Sequence, residues 1–232
     1  MALAKSKGNM YQWVTHVWSP IRGCRFGCAY CYARKYGQEC RLDEEDLQTK
    51  LGRGKIIFVG HLSDMWGPWV PTFYLIRVLN RCKDFRENEY IFQSKNPDRF
   101  RGFSDDFRGM NVALGTTIET NAYPGQFRTE APPLMNRITA MRDLKFRKFI
   151  TIEPVMDFDV RLLTEMVSIV RPEFVTIGAD SKGHNLVEPC WEKVEELIER
   201  LSDFTEIRQK TNLERLERGR PKVNRPSRDG LI

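Results

Sequence analysis

The chain has 232 residues, enough for one well-buried core, and its 37 Lys and Arg against 31 Asp and Glu leave a net charge of +6. Its six cysteines, three of them in one short motif, exclude the disulfide framework of a small secreted protein. That cysteine pattern favours a reducing cytoplasm. Because no apolar run approaches the roughly 20 residues of a membrane span, we expect no membrane partner.

Composition along the chain predicts three segments. Residues 1–12 are expected to be a flexible arm, residues 13–212 one folded domain, and residues 213–232 a basic tail rich in Lys, Arg, Pro and Gly. Within the domain, short apolar runs bounded by Gly, Pro or polar residues predict strands over 13–18, 56–59, 90–92, 112–118, 149–152 and 174–177, with a last short strand over 206–208.

Helical periodicity separates these strands. The segment that begins near residue 71 is expected to bury Phe73, Ile76 and Leu79, and Asp159 is expected to cap a later helix. Strands that alternate with helices predict an α/β fold with a parallel sheet and right-handed crossovers. Six clear strands are too few to close an eight-stranded barrel, which favours an open, partial TIM-like (β/α)6 barrel. The helical segments are 41–51, 71–82, 134–144, 159–170 and 191–201.

A triplet of thiols at Cys24, Cys28 and Cys31 has the spacing C-x3-C-x2-C. Such a loop can surround one compact centre with three thiolates and leave a fourth coordination position for another ligand. The pattern favours a [4Fe–4S] cluster, because the triplet is isolated from any second C-x2-C pair. Zinc is the alternative, with Cys40 or His16 as its fourth ligand.

Small or polar residues follow the predicted strands. Because ligands of parallel α/β folds bind at the carboxyl ends of the strands, we expect these residues to share one rim with the cysteine loop. A helix cap or a turn would explain any one of them, so the inference depends on the whole set. The set comprises residues 60–64, 94–95, 117–119, 153 and 178–180.

Several motifs resemble known families. The cysteine spacing, with Tyr30 directly before the third cysteine, resembles the radical S-adenosylmethionine (SAM) superfamily, and residues 28–33 resemble a segment of spore photoproduct lyase and its relatives. Further motifs within residues 13–212 resemble a phage-associated radical-SAM-like family. They are Phe58-Val-Gly-His-Leu-Ser-Asp64, Ser94-Lys-Asn-Pro97, Gly115-Thr-Thr-Ile-Glu119, Glu153-Pro154 and Gly178-Ala-Asp180.

The resemblance implies that the three cysteines ligate a [4Fe–4S] cluster whose fourth iron binds SAM. One electron, from a reductant such as flavodoxin or ferredoxin, would then yield a 5′-deoxyadenosyl radical that abstracts hydrogen from the substrate. Ser63 and Asp64 stand where the superfamily typically has Gly-Gly-Glu, and both can accept from the SAM amine. Lys95 matches the lysine that relatives offer to the SAM carboxylate.

The same resemblance implies roles for other rim residues. Glu119 or Thr117 would hold the ribose hydroxyls, while Tyr30 and Tyr32 would shield the cluster or stack near adenine. The residues expected to hold SAM are Tyr30, Tyr32, Gly60, His61, Ser63, Asp64, Ser94, Lys95, Thr117, Glu119 and Glu153. Those expected to be catalytic or to face the substrate are His61, Asp180 and Lys210.

One departure from spore photoproduct lyases concerns the reaction. Those enzymes place a cysteine on the second strand to return a hydrogen atom to the product radical, whereas residues 56–66 contain no cysteine. The other thiols, Cys40, Cys82 and Cys190, are expected to be structural. We therefore expect a rearrangement in which 5′-deoxyadenosine returns the hydrogen, or a tyrosine donor, instead of a lyase reaction.

The basic composition and these relatives favour a nucleic-acid substrate, with DNA preferred. The phage resemblance implies a DNA-hypermodification isomerase in a host cytoplasm, for example one that moves the glycyl group of a modified thymidine from nitrogen to carbon. The alternatives are a DNA-lesion lyase, an RNA-base enzyme, and a metal-stabilised nucleic-acid-binding module without catalysis. The candidate phosphate contacts are Arg22, Arg25, Arg34, Lys35 and Arg53.

Overall fold

The computed structural model describes residues 3–8, 10–122 and 128–219. The strands in these residues are β1 Ala4–Lys5, β2 His16–Trp18, β3 Ile21–Arg22, β4 Arg41–Leu42, β5 Ile56–Val59, β6 Glu89–Gln93, β7 Asn111–Thr117, β8 Arg147–Ile152, β9 Phe174–Ile177 and β10 Glu206–Gln209. The α-helices are α1 Glu44–Leu47, α2 Thr72–Asp84, α3 Ser104–Phe107, α4 Leu134–Asp143, α5 Val160–Val170, α6 Trp191–Ser202 and α7 Glu214–Arg218. Short 3₁₀ helices cover Arg34–Tyr36, Pro97–Phe103 and Thr211–Leu213.

Eight strands form one sheet in the order β1-β2-β5-β6-β7-β8-β9-β10, and β3 pairs with β4 separately. Strands β2 and β5 to β10 are parallel, and β1 runs antiparallel to β2 at one edge. Helical crossovers join each parallel strand from β5 onward to the next. Because β1 and β10 do not pair, the sheet stays open, which confirms the predicted partial TIM-like barrel.

Residues 10–14 cover the inner face of this open barrel. The inner face is an apolar cluster to which the strands contribute Phe58, Ile91, Ala113, Phe149 and Phe174. The rings of Tyr11 and Trp13 stack with centroids 5.3 Å apart, and Trp13 meets Phe149 and Phe174 edge-on. This segment adjoins β1, so the expected flexible arm is packed against the domain where the structure describes it. An unclosed barrel leaves apolar surface that another part of the chain has to bury.

Helix α2 buries only Leu79 of the three residues predicted to share its buried face. Leu75, Val78 and Leu79 are fully buried, whereas Phe73 is 57% exposed and Ile76 is 40% exposed. Apolar residues occur on both faces of this segment, so the helical period alone does not select the buried face. Leu75, Val78 and Leu79 belong to the main hydrophobic core, so contact with that core decides which face of the helix is buried.

Other local predictions had mixed outcomes. Asp159 caps α5 as predicted, accepting a hydrogen bond from the Leu162 amide at 2.8 Å. The segment 41–51 holds the short strand β4 and the single turn α1 instead of a longer helix. Within the expected tail, Leu213 is buried and α7 follows it, while residues 220–232 lie outside the described residues. No helix in the described residues is long and apolar enough to cross a membrane.

Candidate active site

A cavity of about 390 Å³ opens at the carboxyl ends of the parallel strands, and a smaller one of about 160 Å³ adjoins it. Tyr30, Tyr32, His61 and Lys95 line both cavities. The larger volume lies within the range of about 300–1,000 Å³ that is typical of small-molecule sites. Every residue expected to ligate metal, hold SAM or be catalytic lines one of the two cavities, except Glu119, which lies behind the wall.

The three cysteines lie on the wall of the smaller cavity, in a loop that backbone contacts shape. Gly23, directly before Cys24, has a φ of +88°, and a Cβ there would lie 2.0 Å from the Glu39 carbonyl oxygen. Only glycine fits this position. On the other side of the loop, Arg34 donates to the Cys28 carbonyl oxygen at 3.1 Å. These contacts fix the backbone shape of the loop from within.

All three thiols are free of disulfide bonds, and burial shifts the pKa of two of them. Burial, helped by the nearby Asp64 carboxylate, raises the pKa of Cys24 to about 12. Burial likewise raises the pKa of Cys31. In the metal-free chain both thiols are therefore protonated at neutral pH, and ligation of a metal releases their protons.

The donor set fits an iron–sulfur cluster better than a single ion. Within the described ranges, no group of three or more His, Cys, Asp or Glu could hold one metal ion. A tetrahedral zinc site requires such convergence, whereas a [4Fe–4S] cluster places each thiolate on a different iron. Cys40 and His16, the alternative zinc ligands, line neither cavity. The two residues that the sequence offered as a fourth zinc ligand are therefore not at the site.

Asp64 joins the loop after β5 to the end of β6. Its carboxylate accepts hydrogen bonds from the Ser94 hydroxyl at 2.7 Å, the Lys95 amide at 2.7 Å and the Trp66 amide at 3.1 Å. A carboxylate offers about four acceptor positions, so one position remains for a ligand amine. Asp64 therefore has a structural role that the sequence did not indicate, and its role toward the SAM amine stays a prediction.

The loop after β5 also carries Gly60, His61 and Ser63. Gly60 has a φ of +87°, a conformation that favours glycine. The Ser63 hydroxyl donates to the Ile21 carbonyl oxygen at 2.7 Å, so it is engaged with the backbone. Nδ1 of His61 lies 2.7 Å from the Ser19 hydroxyl, and burial lowers the pKa of His61 to about 4. His61 is therefore uncharged at neutral pH.

Glu119 is the centre of a buried charge network behind the cavity wall. Its carboxylate lies 3.0 Å from Arg137 and 3.1 Å from Lys95, and it accepts a hydrogen bond from the Tyr30 hydroxyl. Burial acts to raise the pKa of Glu119, but Lys95 and Arg137 outweigh it and the pKa is lowered. Arg137, on α4, also donates to the Thr117 carbonyl oxygen at 3.0 Å, which ties the helix to the end of β7.

The opposite end of the larger cavity carries a second ion pair. Lys210 lies 2.8 Å from Glu153, and its ammonium is 5.0 Å from the centroid of the Tyr11 ring. Burial lowers the pKa of Lys210, although the Glu153 carboxylate acts in the other direction. Gly178 permits this close approach, since a Cβ there would lie 3.0 Å from both side chains.

A hydrogen-bonded floor between the two ends was not predicted. The Tyr11 hydroxyl donates to Gln93 at 2.6 Å and lies 2.9 Å from the Thr151 hydroxyl, and Gln93 donates to Thr117 at 2.9 Å. Gln93 and Thr151 lie two positions beyond Ile91 and Phe149 of the inner face, so the two-residue period of a strand could have indicated them. Tyr11 gave no such signal, because it lies in the expected arm.

The five basic residues expected to contact phosphate line neither cavity. Arg22 and Arg53 form ion pairs with acidic neighbours. Arg34 is bound to carbonyl oxygens of the cysteine loop, while Arg25 and Lys35 are exposed. The structure therefore does not gather this set at the mouth of the site.

The fold of this chain is similar to that of spore photoproduct lyase. A singly substituted variant of that enzyme matches with a TM-score of 0.65 and 10% identity, over 88% of this chain and 80% of that one. A doubly substituted variant with bound AdoMet and dinucleoside spore photoproduct gives a TM-score of 0.56 and 11% identity, over 87% of this chain. This chain spans 66% of the latter structure, slightly under two thirds, and at such identities the likeness shows the fold alone.

A family model described as "Protein of unknown function (DUF5131)" matches residues 9–195. The chain belongs to this family, because the match extends over most of its length. A search of curated proteins finds no match to the sequence.

Proposed function

We propose that this protein is a radical SAM enzyme that acts on nucleic acid. The observation that carries the proposal is the position of Cys24, Cys28 and Cys31, which are free and line one cavity at the carboxyl ends of the strands. A variant of spore photoproduct lyase, which shares the fold, was solved with bound AdoMet and dinucleoside spore photoproduct. A net charge of +6 also suits a polyanionic substrate.

The two adjoining cavities suit different reactants. At the cysteine end, the thiols would hold a [4Fe–4S] cluster, and Lys95 and Asp64 would pair with the carboxylate and amine of SAM. When bound, the cluster and SAM would supply the one-electron cleavage of SAM to a 5′-deoxyadenosyl radical. The electron would come from a reductant such as flavodoxin or ferredoxin. At the other end, Glu153 and Lys210 would face the substrate across the polar floor.

The chain itself contributes shielding and orientation. Phe26, only 2% exposed, packs edge-on against Trp69 with ring centroids 4.7 Å apart and forms part of the wall beside the cysteines. Tyr30 lies between the cysteine end and the larger cavity, where Glu119 holds its hydroxyl. These buried contacts keep water from the place where a radical would be formed.

For the reaction type, we propose a rearrangement of an amino-acid-modified thymidine, such as a glycyl-thymidine, in DNA. In the described part of the chain, Cys24, Cys28 and Cys31 are the only cysteines that line either cavity. Cys82 is buried in α2 and Cys190 is exposed at the start of α6, so neither can return hydrogen to a substrate in the site. A rearrangement conserves all hydrogen atoms of the substrate and requires no such thiol.

Anaerobic reconstitution with iron and sulfide tests the enzyme class. We expect the broad visible absorbance of a thiolate-bound iron–sulfur cluster and, after addition of SAM and a reductant, 5′-deoxyadenosine detectable by liquid chromatography. A colourless protein that retains only zinc and leaves SAM intact would support the alternative of a binding module without catalysis. A sample reconstituted without iron serves as the control.

The substrate class is tested by offering the reconstituted enzyme three nucleic acids. DNA that carries glycyl-thymidine should yield a nucleoside of unchanged mass and altered chromatographic retention after enzymatic digestion. Ultraviolet-irradiated DNA and transfer RNA should yield unaltered nucleosides. Repair of the irradiated DNA would instead support a lesion lyase, which the shared fold makes the second candidate. A change in the RNA would support an RNA-base enzyme.

A further inference from the structure

Two lysines lie at the mouth of the larger cavity. Lys7 and Lys182 both line the cavity and are exposed, and Ser181 lies beside Lys182 on the same wall. In the part of the chain that the structure describes, neither lysine has an acidic side chain within 4.0 Å. They are therefore cations at the entrance that no carboxylate of the described chain neutralises.

The Asp180 carboxylate anchors the loop that presents Lys182, and Asp180 is only 8% exposed. One carboxylate oxygen of Asp180 accepts from the Lys182 amide at 3.0 Å and lies 2.7 Å from Nδ1 of His184, and the other accepts from the His184 amide. Arg215 donates to the Asp180 carbonyl oxygen at 2.8 Å. Burial acts to raise the pKa of Asp180, but these amide and imidazole contacts outweigh it and the pKa is lowered. Asp180 thus anchors the loop as an anion.

We propose that Lys7 and the loop of residues 181–183, anchored by Asp180, form a phosphate-binding rim for the nucleic-acid backbone. This inference depends on the proposed function and specifies where the substrate strand lies. Enzymes that act on a base extrude it into a pocket, which leaves its flanking phosphates at the pocket mouth. Two cations on that mouth match those phosphates, and the anchored loop limits the ordering that binding would cost.

The rim replaces the arginines that the sequence suggested. Arg22 and Arg53 are neutralised by acidic neighbours, and Arg34 is bound to backbone carbonyl oxygens. Lys7 and Lys182 also lie near the Glu153–Lys210 end of the cavity, where the substrate is expected, because all four line the larger cavity and not the smaller one. The backbone would therefore cross the mouth on the side of β8 and β9.

The salt dependence of oligonucleotide binding tests the rim. Fluorescence anisotropy would measure the affinity of the full chain for one sequence, as single-stranded DNA and as RNA, from about 50 to 200 mM salt. Each phosphate contact contributes about −0.7 to the slope of log K against log salt for single strands, so Lys7→Ala with Lys182→Ala should make the slope less negative by about 1.4. Comparing the DNA and RNA arms identifies which backbone the rim prefers.

Lys145→Ala is the matched control. Lys145 is exposed and lies just before β8, at the opposite end of the barrel, so the same loss of charge there should leave the slope unchanged. A second variant, Asp180→Asn, separates anchoring from simple charge. It removes a negative charge near the mouth, which by charge alone would strengthen binding. We expect weaker binding instead, because Asn has one acceptor oxygen and cannot accept from the Lys182 amide at one side-chain atom and the His184 amide at the other, as the carboxylate does.

The outcomes are distinguishable. A less negative slope in the double variant, together with the wild-type slope in Lys145→Ala, would support the rim. Normal binding by the double variant, or equal losses in the control, would overturn the rim while leaving the proposed function intact. Tighter binding by Asp180→Asn would overturn the anchoring role. If the wild-type chain binds neither oligonucleotide, both the rim and the proposed nucleic-acid substrate are wrong, even if SAM is still cleaved.

Discussion

Cys28→Ser should abolish both the visible absorbance of the reconstituted protein and its cleavage of SAM. Cys28 is buried in the wall of the smaller cavity, with its sulfur 3.2 Å from the Thr129 hydroxyl. Serine fills the same space, so the loop should keep its shape. It cannot supply the thiolate that an iron–sulfur cluster requires. The iron content and the yield of 5′-deoxyadenosine, measured on the same sample, would check this expectation.

Cys190→Ser is the matched control for this experiment. Cys190 is exposed, and its side chain makes no capping hydrogen bond at the start of α6. The same chemical change there should leave both the absorbance and SAM cleavage at wild-type levels. If Cys28→Ser retains its cluster, or if Cys190→Ser loses it, then the assignment of Cys24, Cys28 and Cys31 as ligands is wrong.

Arg137→Met should destabilise the fold by about 3–5 kcal/mol. Arg137 is 3% exposed and neutralises the buried Glu119 carboxylate, which would keep only Lys95 as a cationic partner. Methionine restores most of the volume, so the loss would report the uncompensated charge. Chemical denaturation followed by circular dichroism would measure the change in the free energy of unfolding.

Two further variants control the Arg137 experiment. Arg200→Met removes an exposed partner of Glu196 on α6 and should cost only about 0.3–0.5 kcal/mol. Combining Arg137→Met with Glu119→Gln removes the buried charge as well and should recover part of the lost stability. If Arg137→Met costs no more than Arg200→Met, the network around Glu119 does not stabilise the protein.

The strands and the cysteine loop could be predicted because their signals are local. Short apolar runs between Gly, Pro and polar residues correctly indicated the parallel strands, including the short β10. The rule that ligands bind at the carboxyl ends of strands then placed the candidate metal, SAM and catalytic residues, except Glu119, on two adjoining cavities. The helix cap at Asp159 could be predicted for the same reason, since a capping residue bonds to an amide within the first turn of its own helix.

The partners of the site residues could not be predicted, because they are distant in sequence. Tyr11 and Thr151 are 140 residues apart, yet their hydroxyls lie 2.9 Å from each other. Arg137 lies on an ordinary amphipathic helix, and no motif marks it as the partner of Glu119. The face that α2 buries was ambiguous for a related reason: periodicity describes one helix, whereas packing depends on what that helix meets.

By itself, the sequence determined that this protein is an open α/β barrel with three thiols grouped in a short loop, since backbone periodicity and cysteine spacing are properties of neighbouring residues. Only the tertiary structure decided which charges are neutralised and which remain at the mouth. It paired Arg22 and Arg53 with acids and placed Lys7 and Lys182 at the cavity without acidic partners among the described residues. Whether a basic side chain has an acidic partner depends on distances of a few ångströms between segments that are remote in sequence. Electrostatic pairing is strong only over such short distances.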